Sequence, residues 1–445
     1  MKYKNLKPYF ELGGFLKLFS IIFLIFIIFF INQNKTNAYI FGLKSSDNTI
    51  ENIKQIESDY LIHIPIISFI FDPRGEEVKG IINNLTKNFG EDRIYHITIS
   101  PNNFSALQVA SGEFDEEYKI FFNLVKRNNL RVIFRTMHEM NGGRYPWSSD
   151  PTNFKKARIH VWNLSREEGL NTENILFDMS VNHRDMPTNQ TPSQKAKLIT
   201  CQLSNKIKKK CFTFEDYYPG DKYVDIMGFT FFNRGKGNSD RQRLRPEQIV
   251  NQKGRNTLAR LKKIGKPIFI DEVATTSVWY EGDYSQQKTE NMFNQNYSDL
   301  KNQRLFQLKR LLYKNGSILG FSYFNVDYTN GLTEKIIGEA DRSVIDFNSN
   351  KLYDGIFGLY QDTEKFENNT PLLSLFNISL LNLSGNKMFV KSNYVQLIKS
   401  LYNNYSGNNL SKLNQLSVEN LQGKYKRFSK SDLNNIIQIL KNFLK

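Results

Sequence analysis

The stretch Arg131–Trp147, RVIFRTMHEMNGGRYPW, decides how the chain is read. It opens as a short apolar run of β-branched and aromatic residues and then breaks into polar residues and a glycine pair, as a strand buried on both faces does when it runs into a loop. Outward from Arg131–Arg135, seven more runs of this kind follow one another: Tyr39–Leu43, Ile64–Phe71, Ile94–Ile99, Asn174–Met179, Val224–Phe229, Pro267–Asp271 and Ile318–Phe324. Between them lie stretches of helical period, namely Glu116–Asn128, Pro151–Glu168, Pro192–Lys208, Pro246–Lys263 and Gln303–Lys314. Strand and helix in alternation make a parallel sheet, and eight units over residues 39–360 suit a (β/α)8 TIM barrel of the α/β class. No Gly-rich phosphate turn follows the first run, so a dinucleotide-binding sheet lacks its main signature.

A barrel places its chemistry where strands end on the C-terminal face. The fourth run leads into Arg135, His138, Glu139 and Asn141, and the seventh into Asp271 and Glu272. Glu139 and Glu272 are therefore two carboxylates on two different strand ends. A protonated and an ionised carboxyl facing each other across a groove are the minimal machinery for breaking a glycosidic bond. Tyr145 and Trp147 follow the first glutamate, Trp279 and Tyr280 the second, as a groove that stacks sugar rings requires. Trp162, inside a helix, reads as core. The sequence HEMNG has no second histidine four residues on, and His63, His96, His160 and His183 are scattered, so neither a metal nor another cofactor is expected.

These residues resemble glycoside hydrolase family 26, best known for endo-β-1,4-mannanases. The likeness lies in SGEFDEEYKIFF (Ser111–Phe122), FRTMHEMNGGRYPW (Phe134–Trp147), FDMSVN ending at Asn182, YYPGDKYVDIMGFTFFN (Tyr217–Asn233) and KPIFIDEVATT (Lys266–Thr276). The resemblance implies a retaining double displacement with Glu139 as general acid/base and Glu272 as nucleophile. It also implies that Arg135 and His138 support them, and that Asn141, Tyr145, Trp147, Asn182, Phe232, Trp279 and Tyr323 line the substrate groove. Three positions depart from the family pattern. Phe232 stands where the family has a Tyr that hydrogen-bonds the nucleophile, Arg144 stands where a Trp follows the acid/base by five residues, and Tyr323 replaces the Trp of the eighth strand. The departures admit two other readings: a hydrolase of a different, anionic β-glycan, or a catalytically impaired member that binds glycan without cutting it.

The ends of the chain differ from the barrel. Leu18–Ile31, LFSIIFLIFIIFFI, is preceded by Lys2, Lys4, Lys7 and Lys17 and reads as an export signal over residues 1–38, either cleaved or kept as a single membrane anchor. The expected location is secreted or cell-surface, where Cys201 and Cys211 either pair or pack as small hydrophobes. After Tyr360 the composition shifts to Asn, Ser, Leu and Lys. Over residues 370–445 two loop-helix copies, opening at Asn382 and Asn420, resemble the duplicated unit of a dockerin. Their loops lack the carboxylates that calcium needs, so the expectation is a small all-α adaptor for a scaffold or cell-surface protein, without calcium. The net charge of +16 belongs largely to these ends: residues 1–38 carry five lysines against one acid, and residues 361–445 eleven basic against five acidic residues. What remains on the barrel is too dilute to point to nucleic acid, and the expected partner is a polysaccharide.

Overall fold

The structure, a computed structural model, describes residues 39–44, 50–72, 76–90, 93–148, 150–185, 212–233, 244–252, 255–276, 295–326, 343–346, 349, 351–365, 372, 375, 376, 417 and 437. Eight strands run parallel and close on themselves: β1 (Ile40–Lys44), β2 (Ile66–Phe71), β3 (Ile94–Ile99), β4 (Arg131–Thr136), β5 (Ile175–Asn182), β6 (Ile226–Asn233), β7 (Ile268–Thr275) and β8 (Ile318–Phe324). β1 pairs with β8, so the sheet has no edge. The helices are α1 (Ile50–Tyr60), α2 (Glu76–Phe89), α3 (Ala106–Ala110), α4 (Asp115–Arg127), α5 (Pro151–Glu167), α6 (Pro246–Val250), α7 (Thr257–Ile264), α8 (Gln295–Lys314) and α9 (Asp354–Lys365).

Local chemistry explains several element ends. Ser105 and Gln108 form a reciprocal capping box at the start of α3, and the Asp150 carboxylate accepts the Asn153 N–H at the start of α5, where Pro151 costs no hydrogen bond. The single helix expected over Pro246–Lys263 is two, α6 and α7. Asn256 sits in the left-handed region at φ 44°, which no helix interior accommodates. β5, β6 and β7 each run several residues past their expected ends, to Asn182, Asn233 and Thr275, because polar residues remain buried and paired there. The helix expected over Pro192–Lys208 and the pair Cys201 and Cys211 lie outside the described residues.

Side chains alternate across each strand, which gives the barrel two cores. The outer one fills the space between strands and helices. Phe134 of β4 is its centre, with Phe121 of α4 at 5.3 Å, Phe122 at 5.5 Å and Phe177 of β5 at 5.3 Å. The inner one is the floor of the lumen, with one residue from each strand: Ile40, Ile66, Ile94, Ile133, Leu176, Ile226, Phe269 and Leu319. Leu372 and Phe376 complete this floor cluster. The barrel unit therefore does not end at residue 360: that boundary falls within α9, and the floor draws on residues further along.

Two residues up from the floor the lumen turns polar, with Ser68, His96, Arg135 and Asp178. On β7 the pairing with β6 steps from Phe229↔Ile270 to Thr230↔Glu272, leaving Asp271 as an extra residue in a bulge. A bulge lets two successive residues face the same side. Asp271 thus joins the polar layer while Glu272 also faces the lumen, at its mouth. Among the described residues no helix is long and apolar enough to cross a membrane. Leu18–Ile31 and both tail loops lie outside them.

Candidate active site

Arg135 is the centre of the mouth. It has 1% of its surface exposed. Its Nε donates to Thr98 Oγ1 on β3, its Nη1 to Ser180 Oγ on β5 at 3.2 Å, and its Nη2 to Glu272 Oε1 on β7. One planar guanidinium therefore connects four strands and fixes the Glu272 carboxylate by a charge-assisted hydrogen bond. Burial works against the guanidinium, but Glu272 and Asp271 hold its pKa above the ordinary value, so Arg135 stays cationic.

Glu139 sits on a loop that leaves β4 sharply. Met137 and Glu139 have φ of 51° and 50°. Left-handed non-glycine residues cost on the order of 1 kcal/mol or more each and persist where the surroundings hold them. Here the surroundings are the end of β5: Glu139 N–H donates to Ser180 O at 2.9 Å. Asn141 Nδ2 donates to Asn182 O at 2.8 Å and to Asp185 Oδ1 at 2.9 Å, and Asn141 Oδ1 accepts from Asn182 N–H at 2.8 Å. Asp185 is itself held by Arg260 Nη1 at 2.8 Å and by Phe214 N–H at 2.9 Å. Glu139 is 5% exposed, and its Oε2 accepts from Arg144 Nη2 at 3.1 Å.

Behind Glu139 lies an aromatic pile. Tyr145 and Trp147 stack at 4.6 Å with planes 4° apart, Trp147 Nε1 donates to His138 O at 2.9 Å, and His138 Nε2 meets the Tyr145 hydroxyl at 2.8 Å. Burial, reinforced by Arg135 and Arg144, pushes the His138 pKa well below its ordinary value and keeps the ring neutral. Burial next to Glu139 and Glu272 pushes the Tyr145 hydroxyl up.

The structure thus brings Arg135, His138, Glu139, Tyr145 and Glu272 to one end of the barrel. It gives other expected groove residues different work. Trp147 has no exposed surface, because Tyr145 covers its face and the His138 carbonyl takes its N–H, so it braces the loop and offers no sugar platform. Tyr323 points away from the lumen, opposite Val273 and Leu43, and is fully buried in the outer core, with its hydroxyl on Thr275 O at 3.3 Å. The lumen aromatic of β8 is Phe324, which sequence reasoning missed. It packs edge-on against Phe232 at 5.4 Å and lies under Lys44 Nζ at 4.6 Å. Asn141 is 1% exposed, with both ends of its amide bonded internally, so it is a latch between two loops. Asn182 accepts from Arg184 N–H at 3.0 Å through Oδ1 and stays at the edge of the mouth. Trp279 and Tyr280 lie outside the described residues.

Residues 118–309 match the family model of glycosyl hydrolase family 26. That span holds Arg135, Glu139 and Glu272 and is a glycoside hydrolase domain. Endoglucanase H of Acetivibrio thermocellus is 22% identical over 197 residues, which is 43% of this chain and 19% of the relative. The chain thus spans about a fifth of that curated relative's length. A solved β-mannanase from a symbiotic protist of the termite Reticulitermes speratus is 15% identical, with TM-score 0.41, covering 74% of this chain and 92% of that one. For the Cellulomonas fimi endo-β-1,4-mannanase double mutant the values are 12%, 0.45, 74% and 72%.

Proposed function

We propose that the protein is a retaining glycoside hydrolase that cleaves a β-linked, mannan-like polysaccharide internally, with Glu139 as general acid/base and Glu272 as nucleophile. The observation that carries this reading is the bond from Arg135 of β4 to Glu272 of β7, since it ties the strand that leads into Glu139 to the strand that carries the second carboxylate. In such a reaction Glu139 protonates the leaving oxygen while Glu272 attacks the anomeric carbon, and Glu139 then activates water, which breaks the bond to Glu272 and frees the sugar. Neutral His138, held by Tyr145, adds no third positive charge beside Arg135 and Arg144, and leaves Glu139 as the group that exchanges protons.

Arg144 favours a second reading of the substrate. It is about half exposed at the mouth, 3.1 Å from Glu139, and a cation there suits an acidic sugar or substituent. Phe232, with no hydroxyl for Glu272, is the feature that favours an impaired glycan binder. The N-terminal run supports export, and the tail repeat supports an adaptor role toward a surface or scaffold protein.

A panel of β-mannans, β-glucans and uronate-containing β-glycans, read by release of reducing ends, tests the proposal. Wild type should release product with retained anomeric configuration on at least one substrate, and Glu272→Ala should release none. Equal inertness of the two with retained polysaccharide binding would replace the hydrolase reading by the glycan-binder one.

A further inference from the structure

Below Glu272, between the mouth and the apolar floor, three side chains from three strands converge: His96 of β3, Asp178 of β5 and Asp271 of β7. None has any exposed surface. His96 Nε2 is 3.7 Å from Asp178 Oδ2 and 3.6 Å from Asp271 Oδ1, and one donor atom from each residue lies within 4.8 Å of the others. His96 Nε2 has no hydrogen-bond partner, and the aspartate oxygens have only each other and the Ser180 hydroxyl close by. The Ser180 hydroxyl accepts from Arg135 Nη1 and keeps its own proton to donate toward Asp271. The space is kept open at Gly228, where a Cβ would meet Asp271 Oδ2 at 2.1 Å and Asp178 Oδ1 at 2.4 Å.

Three physical points narrow what belongs among these atoms. The separations of 3.6 and 3.7 Å are too long for direct hydrogen bonds. For donors arranged symmetrically around one ion, they correspond to ion–ligand distances of about 2.1 Å, those of zinc to imidazole and carboxylate. The second point is the histidine: its Nδ1 faces Ser68 Oγ at 3.0 Å, and that hydroxyl meets Ser322 Oγ at 2.7 Å. With Nδ1–H donating to the serine pair, the Nε2 lone pair faces the carboxylates, which is the tautomer and outer support of a metal-bound histidine. Burial and Arg135 also keep this ring neutral. The third point is charge. Arg135 is matched by Glu272, and reaches Asp271 only at 3.8 Å. Arg158, over the Phe177 ring, also attracts Asp178, so two buried cations face the three carboxylates of Glu272, Asp178 and Asp271. Two fully buried carboxylates in contact cannot both stay ionised without a further cation.

We infer that His96, Asp178 and Asp271 form a binding site for one divalent transition-metal ion of the zinc type, set in the lumen beneath the candidate nucleophile. The site is independent of the reaction proposed above, since no step of that reaction passes through it. A dication there balances both aspartates, displaces the proton that one of them would otherwise hold, and joins β3, β5 and β7 beside Arg135.

The test is metal content of the full-length protein, produced in zinc-supplemented medium and dialysed, followed by X-ray absorption at the zinc edge. The expected result is one zinc per chain with one nitrogen and two oxygen ligands in the first shell, lost in His96→Ala and in Asp178→Asn. Asp178→Asn keeps the side-chain shape, and circular dichroism identifies any variant that has not folded, while the absorption spectrum of wild type needs no variant. Wild type without stoichiometric metal, or zinc that remains in both folded variants, overturns the site. In the first case the aspartate pair holds a proton and no ion.

Discussion

Replacing Asn141 by Ala separates the two roles that sequence and structure give this residue. The side chain makes three hydrogen bonds of 2.8–2.9 Å, all inside the protein, and is 1% exposed. Its loss leaves the Asn182 N–H and C=O without their partners, whereas Asp185 keeps Arg260 and the Phe214 N–H. At roughly 1–3 kcal/mol per buried polar group left unsatisfied, less where water enters the space, the expected cost is about 2–4 kcal/mol. For a barrel of this size that lowers the melting temperature by about 3–6 °C. Because Asn141 anchors the loop that holds Glu139 in its left-handed conformation, kcat should also fall while KM changes little. Differential scanning calorimetry and steady-state kinetics on a cleaved polysaccharide read both quantities. A melting temperature within about 1 °C of wild type together with a raised KM would show that Asn141 touches substrate and would refute the latch.

Other expectations follow from the same contacts. Phe134→Ala empties the centre of the aromatic cluster behind β4 and should cost about 3–5 kcal/mol in chemical denaturation. Trp147→Phe keeps the stack with Tyr145 but loses the bond to His138 O, so stability should drop by about 1 kcal/mol with no change in polysaccharide affinity by calorimetry. His138 has a folded pKa below its unfolded value near 6.5, so its contribution to stability is present above about pH 6.5 and is lost as pH falls. Melting curves from pH 7 to 5 should therefore fall less steeply in His138→Gln than in wild type. Phe232→Tyr, which places a hydroxyl at the mouth beside Phe324, should raise kcat if the lack of a hydroxyl there limits turnover, and unchanged kcat would remove Phe232 as a limit.

The barrel was legible because strands buried on both faces leave continuous apolar runs: β3 and β8 are bounded as the sequence predicts, and the other strands differ only at their ends. Arg135, Glu139 and Glu272 were also readable as polar residues at the ends of such runs. The supports were not, because loop anchoring depends on contacts between distant strands. Asn141 and Trp147 look like groove residues in sequence and are internal braces in space. Tyr323 was misread for a related reason. When both faces are apolar, alternation gives no phase, and only the pairing with Val273 and Leu43 shows which of Tyr323 and Phe324 faces the lumen. Asp178 and Asp271 did carry a signal, since a carboxylate within ILFDMSVN or IFIDEVAT interrupts an apolar strand. The bulge that turns Asp271 and Glu272 to the same side is a register effect with no counterpart in a single strand's sequence.

The floor of the barrel has a consequence for the order in which the molecule is completed. Leu372 and Phe376 join a cluster whose other members come from β1 through β8, beginning at Ile40. A chain emerging from its N-terminus has all eight strands available before it has the pieces that finish their base. The apolar ring at the bottom of the lumen therefore faces water until more than fifty residues past β8 have appeared. A shortened protein stopped at Lys365, the end of α9, would carry every candidate catalytic group and still expose its own floor. For such a version, solubility would fail before activity.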